Sequence, residues 1–353
     1  MRLTNPVIAK LFIASLLGPA LLARPAGAIT FGQLDDFQDG TTMFWSGGAF
    51  PENVASGGPQ GGSDKFLRIT SNGGIGSGSR LATYNNIQWA GDYSSAGVSV
   101  VEMDLKNLGS VLLSMRAVLF GPTFSRWTST IATDLPADGQ WHHVSFLLAA
   151  NDMTIVAGFD TFPATISGAA QLMVRHQVGA PGSQGTPVAS QLGIDNVFAT
   201  DQARVYPTGY TVTLGQQTGG TLLSLFYNDA NRIQIQSDEL APDAQIEVYG
   251  QLPGSTPSRL RITYDTASSR TDEVEKLQLW NWGMANWDAT AVFSRAPTAS
   301  DSTISYDVVQ SIGRLISSNR EVKARLSWFP IAERSDFDGW GARIDQLNWF
   351  YKP

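Results

Sequence analysis

Cysteine is absent from the 353 residues of the chain. A disulfide framework, a thiolate metal site and a cysteine nucleophile are therefore excluded. Histidine is scarce: there are three, and His142 and His143 are adjacent. Because neighbouring strand residues point to opposite faces, these two side chains cannot ligate one metal ion together. The sequence thus points to neither a cysteine hydrolase nor a zinc enzyme.

Long apolar runs are also lacking beyond the N-terminus. There, Arg2 and Lys10 precede an apolar stretch over 11–23, and small residues follow up to Ala28. This order is typical of a cleaved secretory signal, and the stretch is shorter than the about 20 residues a spanning helix needs. We predict a signal peptide over 1–28, no transmembrane segment after processing, and a secreted, periplasmic or cell-surface location. The alternative is an uncleaved N-terminal anchor.

Positive charge is in deficit, with 24 Lys and Arg against 31 Asp and Glu and a formal net charge of −7. Such a chain repels phosphate backbones and anionic lipid. We therefore expect no nucleic-acid partner.

Glycine clusters separate short alternating apolar runs over 29–200, for example 98–105 and 144–148, and alternating runs such as 276–282 continue in the glycine-poorer part after 200. Alternation with period two between turn signals is typical of sandwich strands. The length exceeds what one core usually organises. We predict an all-β protein: two antiparallel, jelly-roll-like β-sandwich domains in tandem after a signal peptide, over 29–203 and 204–353.

Each predicted domain closes on a similar strand, with Ile194-Asp195 in the first and Ile344-Asp345 in the second. The acid after the isoleucine would point away from the isoleucine. The acid either ties the last strand to the opening loop, directly or through a cation, or it faces solvent. The two alternatives stay open for Asp195, and for Asp345 we favour the solvent-facing one.

Three segments of the first domain carry a resemblance to known modules: 36–41 followed by Trp45, then 138–144, then 192–197. They resemble the entry, the "G-x-W-x-x-V" strand and the closing strand of secreted bacterial carbohydrate-binding-module-like and laminin-G-like jelly rolls. The second domain resembles an uncharacterised β-sandwich of bacterial surface proteins, at 213–215, 277–282 and 344–347. The resemblance implies the architecture more than any ligand.

The resemblance also implies structural Ca²⁺ in the first domain. Asp36 and Asp39 of the opening loop and Asp195 of the closing strand are the candidate ligands. Ca²⁺ takes six to eight oxygen ligands, which carboxylates and carbonyls supply. Gln38 stands where such modules often have an acid.

Two motifs invite a catalytic interpretation. Glu102 and Asp104 are paired carboxylates of the kind that retaining glycosidases use, but no further acid follows at 105–107 to protonate a leaving group. The glycines of 73–78 lack the lysine of a phosphate loop. The two carboxylates are better explained as polar residues that alternate with core residues along a strand. The glycines are better explained as a surface loop.

An aromatic and amide-rich segment is the candidate glycan site, because apolar faces of sugar rings stack on aromatic side chains while planar polar groups bind hydroxyls. The candidate residues are Tyr84, Asn86, Gln88, Trp89, Asp92 and Tyr93. The alternative is that Trp89 plugs the core.

A second aromatic group lies at Trp280, Trp282 and Trp287. If Leu277 and Leu279 face the core, both Trp280 and Trp282 point outward or pack on the neighbouring domain.

We thus expect a non-catalytic extracellular binding protein whose partner is a polysaccharide or a cell-surface glycan. A structural or adhesion role and a glycoside-active enzyme are the alternatives.

Overall fold

The computed structural model describes residues 28–353 except 77, 230, 238–242, 255–256, 309 and 332–339. All of the predicted signal peptide except Ala28 therefore lies outside the described residues. None of the helices in the described ranges is long and apolar enough to cross a membrane.

The first sandwich pairs two antiparallel sheets, and each strand is named here by its bounds. Sheet I runs in the order β2-β3-β12-β5-β9 with β1 on β12: β1 Leu34–Asp35, β2 Glu52–Val54, β3 Phe66–Asn72, β5 Val100–Asn107, β9 Trp141–Leu147 and β12 Ala189–Thr200. Sheet II runs in the order β10-β7-β6-β11-β4 with β8 on β6: β4 Ala82–Asn85, β6 Leu113–Phe120, β7 Arg126–Ser129, β8 Thr133–Leu135, β10 Met153–Ala157 and β11 Gln171–His176.

The second sandwich repeats this plan. Sheet III runs in the order β15-β16-β23-β18-β21 with β13 on β23: β13 Ala203–Val205, β15 Gln216–Gly219, β16 Ile233–Gln236, β18 Arg259–Ser268, β21 Ser302–Val308 and β23 Gly341–Lys352. Sheet IV runs in the order β14-β17-β22-β19-β20: β14 Pro207–Leu214, β17 Ala244–Gln251, β19 Glu273–Asn281, β20 Asn286–Arg295 and β22 Glu321–Pro330.

Helices are short: α1 Tyr93–Ala96, α2 Phe162–Ser167, and the 3₁₀ turns Leu222–Leu225 and Ile312–Leu315. The predicted all-β class with antiparallel sandwiches is thereby confirmed.

Alternation places one face of each sheet in a core. Met103 and Leu105 of β5 are fully buried in the first core, and Leu277 and Leu326 of β19 and β22 in the second. Strand side chains alternate between faces, so the intervening residues form the outer faces of the sheets.

A loop of the chain itself covers part of the outer face of sheet II. Three arginines there donate to backbone carbonyls of 177–185: Arg116 to Gly179 at 2.6 Å, Arg126 to Ser183 at 2.8 Å and Arg175 to Ser183 at 3.0 Å. Arg116 and Arg175 are almost fully buried. This part of the first sandwich therefore has little surface left for a ligand.

The two sandwiches touch at the ends of β5 and β9. Val100 and Leu147, which belong to sheet I, pack with the hydrophobic cluster of the second sandwich. Lys352 Nζ lies 2.7 Å from Asp201 Oδ2. The predicted boundary between 203 and 204 stays a prediction, and β13, which begins at Ala203, pairs with β23.

Candidate functional site

A buried carboxylate organises the segment predicted to bind glycan. Asp35 is 1% exposed, and its Oδ2 accepts the indole N–H groups of Trp45 and Trp89, both at 2.7 Å. Its Oδ1 accepts the amide N–H of Gln88 at 2.6 Å. Burial raises the pKa of Asp35, and these three hydrogen bonds offset part of the rise. The network anchors the segment to the first core.

Trp89 and Tyr93 have no exposed surface. The hydroxyl of Tyr93 donates to the backbone carbonyl of Trp89 at 2.9 Å, and Asp92 caps α1 by accepting the backbone N–H of Ser95 at 2.9 Å. Neither ring offers a face to a sugar in this arrangement. The complete burial of Trp89 agrees with the alternative that this side chain plugs the core.

The other candidates of the segment lie nearer the surface, where Tyr84 is half-buried and Asn86 is exposed. The six residues thus do not converge on one exposed site. Their binding role remains a prediction.

Asp195 is fully buried, so the solvent-facing alternative for this residue is wrong. The physical reason is that the segment of Gly58 and Asp64 lies over the outer face of β12 at this point: a Cβ on Gly58 would lie 3.1 Å from Oδ2 of Asp195. Asp195 Oδ1 accepts the Asn196 backbone N–H at 2.8 Å, and Oδ2 has no hydrogen-bond partner among the described residues. Burial raises the pKa of Asp195 to about 8, and the charges of Asp64, Asp104 and Asp36 contribute.

Gly58 packs closely against the carboxylates of Asp64 and Asp195. A Cβ on Gly58 would clash with Oδ2 of Asp64 and lie 3.1 Å from Oδ2 of Asp195. Asp64 is 8% exposed and accepts the side-chain amide of Gln38 at 2.6 Å. Among the described residues Oδ2 of Asp195 is unpartnered, and with the carboxylate of Asp64 at the same glycine it offers the hard oxygen donors that a cation such as Ca²⁺ prefers.

The sequence nominated Asp36, Asp39 and Asp195 for this ion and missed Asp64. In the structure Asp39 is exposed, and its Oδ1 accepts the backbone N–H of Thr41 at 2.8 Å. Asp64 lies far from both nominated segments in the chain, and no motif marked it.

The second sandwich has an equivalent acid cluster. Carboxylate oxygens of Asp265, Asp301 and Asp345 all lie within 4.8 Å of one another. Asp345 is 1% exposed, so the prediction that it faces solvent is wrong. Its Oδ1 accepts the Asp229 backbone N–H at 3.0 Å. Arg232 enters this cluster: its guanidinium pairs with Asp301, and its Nε lies 3.8 Å from Asp345 Oδ2.

The outer face of sheet I carries a buried charged group. His143 of β9 lies between two acids of β5, with Nδ1 3.1 Å from Asp104 Oδ1 and Nε2 3.4 Å from Glu102 Oε1. Burial alone would lower the pKa of His143, but the hydrogen bonds and charges of Asp104 and Glu102 outweigh it and raise that pKa to about 9. At neutral pH the imidazole is therefore protonated. His142 has a different partner, Asp138, as strand geometry predicts.

A cleft of about 710 Å³ opens beside this group, between the two sandwiches. One wall is β9, which forms the edge of sheet I, and the other is formed by 204–208, 223–227 and 251–254.

Aromatic rings line the cleft. Tyr206 stacks on Phe226 with centroids 4.8 Å apart, and its edge meets His143 at 5.2 Å. Tyr227, 5.5 Å from Tyr206, is 53% exposed. Trp141 lies at the other wall, half-buried against Phe66.

Polar side chains complete the lining: Asn151, Asp152, Arg204, Gln251 and Arg320. From the sequence, a domain boundary was predicted between 203 and 204, and no binding role was predicted for Tyr206, Phe226 or Tyr227. The adjacent aromatic pair Phe226-Tyr227 in a polar segment was the available signal.

No protein-family model matches the chain, and no curated protein is similar to it. Solved structures do match, in 133 chains. One is the tandem of two family 22 carbohydrate-binding modules from Paenibacillus barcinonensis: 13% identity over 93% of this chain and 100% of that chain, TM-score 0.30. Another is the family 11 carbohydrate-binding module of a Clostridium thermocellum cellulosomal cellulase, with 9% identity over 48% of this chain and 95% of that one, TM-score 0.31. An exo-β-agarase matches at 14% identity over 47% of this chain and 24% of its own, TM-score 0.35. Similarity at this level does not identify a ligand, which has to be argued from the site.

Proposed function

We propose that the protein is a non-catalytic glycan-binding protein that acts outside the cytoplasm and holds its ligand in the cleft between the sandwiches. The observation that carries this proposal is the exposed ring of Tyr227 in a cleft that also holds amide, guanidinium and carboxylate groups. Sugar-binding sites combine a stacking surface with a few planar polar groups. The export part of the proposal depends on the predicted signal peptide.

The charged group of His143, Glu102 and Asp104 beside the cleft supports a binding role rather than glycosidase activity. A retaining glycosidase needs one free carboxylate as nucleophile and a second carboxyl group as proton donor. Here both Glu102 and Asp104 face the same protonated imidazole of His143. The single positive charge of His143 offsets part of the negative charge of the two acids and holds them at the wall of the cleft.

Affinity gel electrophoresis of residues 29–353 against a panel of polysaccharides tests the proposal. Tyr227→Ala should weaken retention about tenfold, because the ring is exposed and its loss removes a stacking face. Phe159→Ala is the matched control, since this ring is 99% exposed and lies outside the cleft lining. Equal retention of the two variants would contradict the cleft assignment. A wild-type protein that no polysaccharide retards would favour the structural or adhesion role.

We propose in addition that the first sandwich holds structural Ca²⁺ at Asp195 and Asp64, with Asp36 near enough to contribute charge. When bound, the ion would supply the positive charge that a buried, unpartnered carboxylate requires. Excess chelator should then lower the melting temperature of the wild type, and added Ca²⁺ should restore it.

Asp195→Asn is the control for the ion. The amide carries no charge to compensate, so the melting temperature of this variant should not respond to chelator. An unchanged wild-type melting temperature in chelator would contradict the Ca²⁺ proposal and leave the cleft proposal untouched.

A further inference from the structure

The outer face of sheet IV, on the second sandwich, carries an aromatic and cationic surface. On β22, Ala324 and Leu326 are buried, so Lys323 and Arg325 point outward. Gln278 of β19 is the register partner of Arg325, and Trp280 is that of Trp287. We call the surface formed by Tyr249, Lys276, Trp280, Trp287, Lys323 and Arg325 the sheet IV face.

Two tryptophans form one end of this face. Their ring centroids are 5.2 Å apart at 81°, and both side chains are half-buried. Lys323 Nζ lies 4.8 Å from the ring centroid of Trp280, and the Arg325 guanidinium carbon lies 4.2 Å from that of Trp287. These contacts hold the rings and the cations in a fixed relation at the surface.

Positive charge on the face is only partly compensated. Lys323 pairs with Glu247 at 2.7 Å. Arg325 donates to the Gln278 amide oxygen at 2.5 Å, yet its buried Nε has no hydrogen-bond partner in the part of the chain that the structure describes. Within the described ranges, neither Arg325 nor Lys276 forms an ion pair. Glu247 is the register partner of Arg325 and also the ion-pair partner of Lys323, so one carboxylate faces two cations, and the remaining positive charge of the face is available to an external anion.

A groove of about 160 Å³ lies beside Arg325, and Trp280 and Trp287 are not part of its lining. Lys276, Gln278, Arg325 and Ser327 line it, and Asp243 lines it as well. Gln278 and Trp280 are two residues apart on one strand, which is about 7 Å. Neighbouring units of one polymer can therefore reach the guanidinium and the aromatic pair together.

We propose that the sheet IV face is a second binding site, specific for an acidic polysaccharide. Arg325 and Lys276 bind its carboxylate or sulfate groups, and Trp280 and Trp287 pack against its sugar rings. This site is separate from the interdomain cleft and does not depend on it.

Affinity gel electrophoresis at low salt with polygalacturonate, dextran sulfate and neutral dextran tests the proposal. At least one polyanion should retard the wild type, and the comparison of the two distinguishes carboxylate from sulfate recognition. Arg325→Gln should weaken retention by the polyanion about tenfold, because a charged hydrogen bond is lost. Trp287→Ala should weaken it at an ionic strength where charge is screened.

Two controls separate this site from others. Tyr227→Ala alters the cleft and should leave polyanion retention unchanged. Arg68→Gln removes a half-exposed cation that is already paired with Glu52, and it should also have no effect. Circular dichroism tests whether each variant is folded. If Trp287→Ala does not fold, the polyanion retention of Arg325→Gln alone tests the proposal.

The proposal is overturned if neither polyanion retards the wild type, or if folded Arg325→Gln is retarded as strongly as the wild type. It is also overturned if single-stranded poly(dT) is bound as tightly as the polyanions, because the face would then be a general anion or nucleic-acid surface. Loss of polyanion binding in Tyr227→Ala, with Arg325→Gln unaffected, would assign that binding to the cleft.

Discussion

Replacing Trp89 tests whether its side chain stabilises the core of the first sandwich or binds glycan. The side chain has no exposed surface, lies 6.3 Å from the ring of Trp45, and donates to Asp35. Truncation of a buried tryptophan to alanine costs about 3–5 kcal/mol. The loss of one of the donors that serve the buried Asp35 carboxylate adds about 1–3 kcal/mol. Trp89→Ala should therefore lose about 4–8 kcal/mol, much of the stability of a typical domain.

Trp89→Phe keeps most of the ring and removes only the N–H donor and part of the volume. We expect it to remain folded with a loss of about 2–4 kcal/mol, less than that of Trp89→Ala. Urea unfolding of both variants gives the free energies, provided that the slope of the transition is unchanged. Polysaccharide retention is then measured on Trp89→Phe under conditions where it is folded.

Tyr84→Ala is the matched comparison, because Tyr84 lies in the same segment and is half-buried. It should cost less stability than Trp89→Ala. If Trp89→Ala stays within about 1 kcal/mol of the wild type while glycan retention is lost, the reasoning from burial is refuted and Trp89 is a binding residue.

Further predictions concern processing, autonomy and pH. Terminal sequencing of exported protein should find Ile29 first, because Ala26 and Ala28 fit a small-residue cleavage site; retention of 11–23 would contradict this. Fragments 29–203 and 204–353 should each show β-type circular dichroism; a fragment that stays unfolded would move the boundary or join the cores. The folded-state pKa of His143 is raised, so its contribution to stability should be complete below about pH 6.5 and be lost as pH rises through about 9. His143→Gln should flatten that part of the urea-derived stability curve, and an unchanged curve would show that the ion pairs do not form.

Strand positions could be predicted from the sequence because period-two alternation is a local property. Met103 and Leu105, or Leu277 and Leu279, lie on core faces because each run alternates against polar neighbours. The outward direction of Trp280 follows from the same pattern. Trp282 lies beyond the end of β19, where alternation no longer applies.

The sites depend on contacts between distant segments, which local patterns do not contain. Asp35 looks like an exposed loop acid beside Asp36, and its burial arises only because Gln88 and Trp89 fold against it from more than 50 residues away. Tyr206 lies just after the predicted domain boundary, and only its stacking on Phe226 makes it part of a site. Such pairings follow from topology, which a single sequence specifies only weakly.

The two buried closing-strand acids show how similar positions acquire different chemistry. Asp345 has a cation supplied by the chain, because Arg232 Nε lies 3.8 Å away, whereas Asp195 has acids around it and an Oδ2 without a partner. Because the folded-state pKa of Asp195 is raised to about 8, stability without Ca²⁺ should fall as pH rises from about 4 to about 8, and bound Ca²⁺ should remove that fall. Asp195→Asn should remove it as well.

Fragment 204–353 should be insensitive to chelator, since Arg232 already neutralises part of its acid cluster. Thermal melts of both fragments with chelator and with Ca²⁺ measure this difference, and a response confined to 204–353 would show that the arginine does not take the place of the ion.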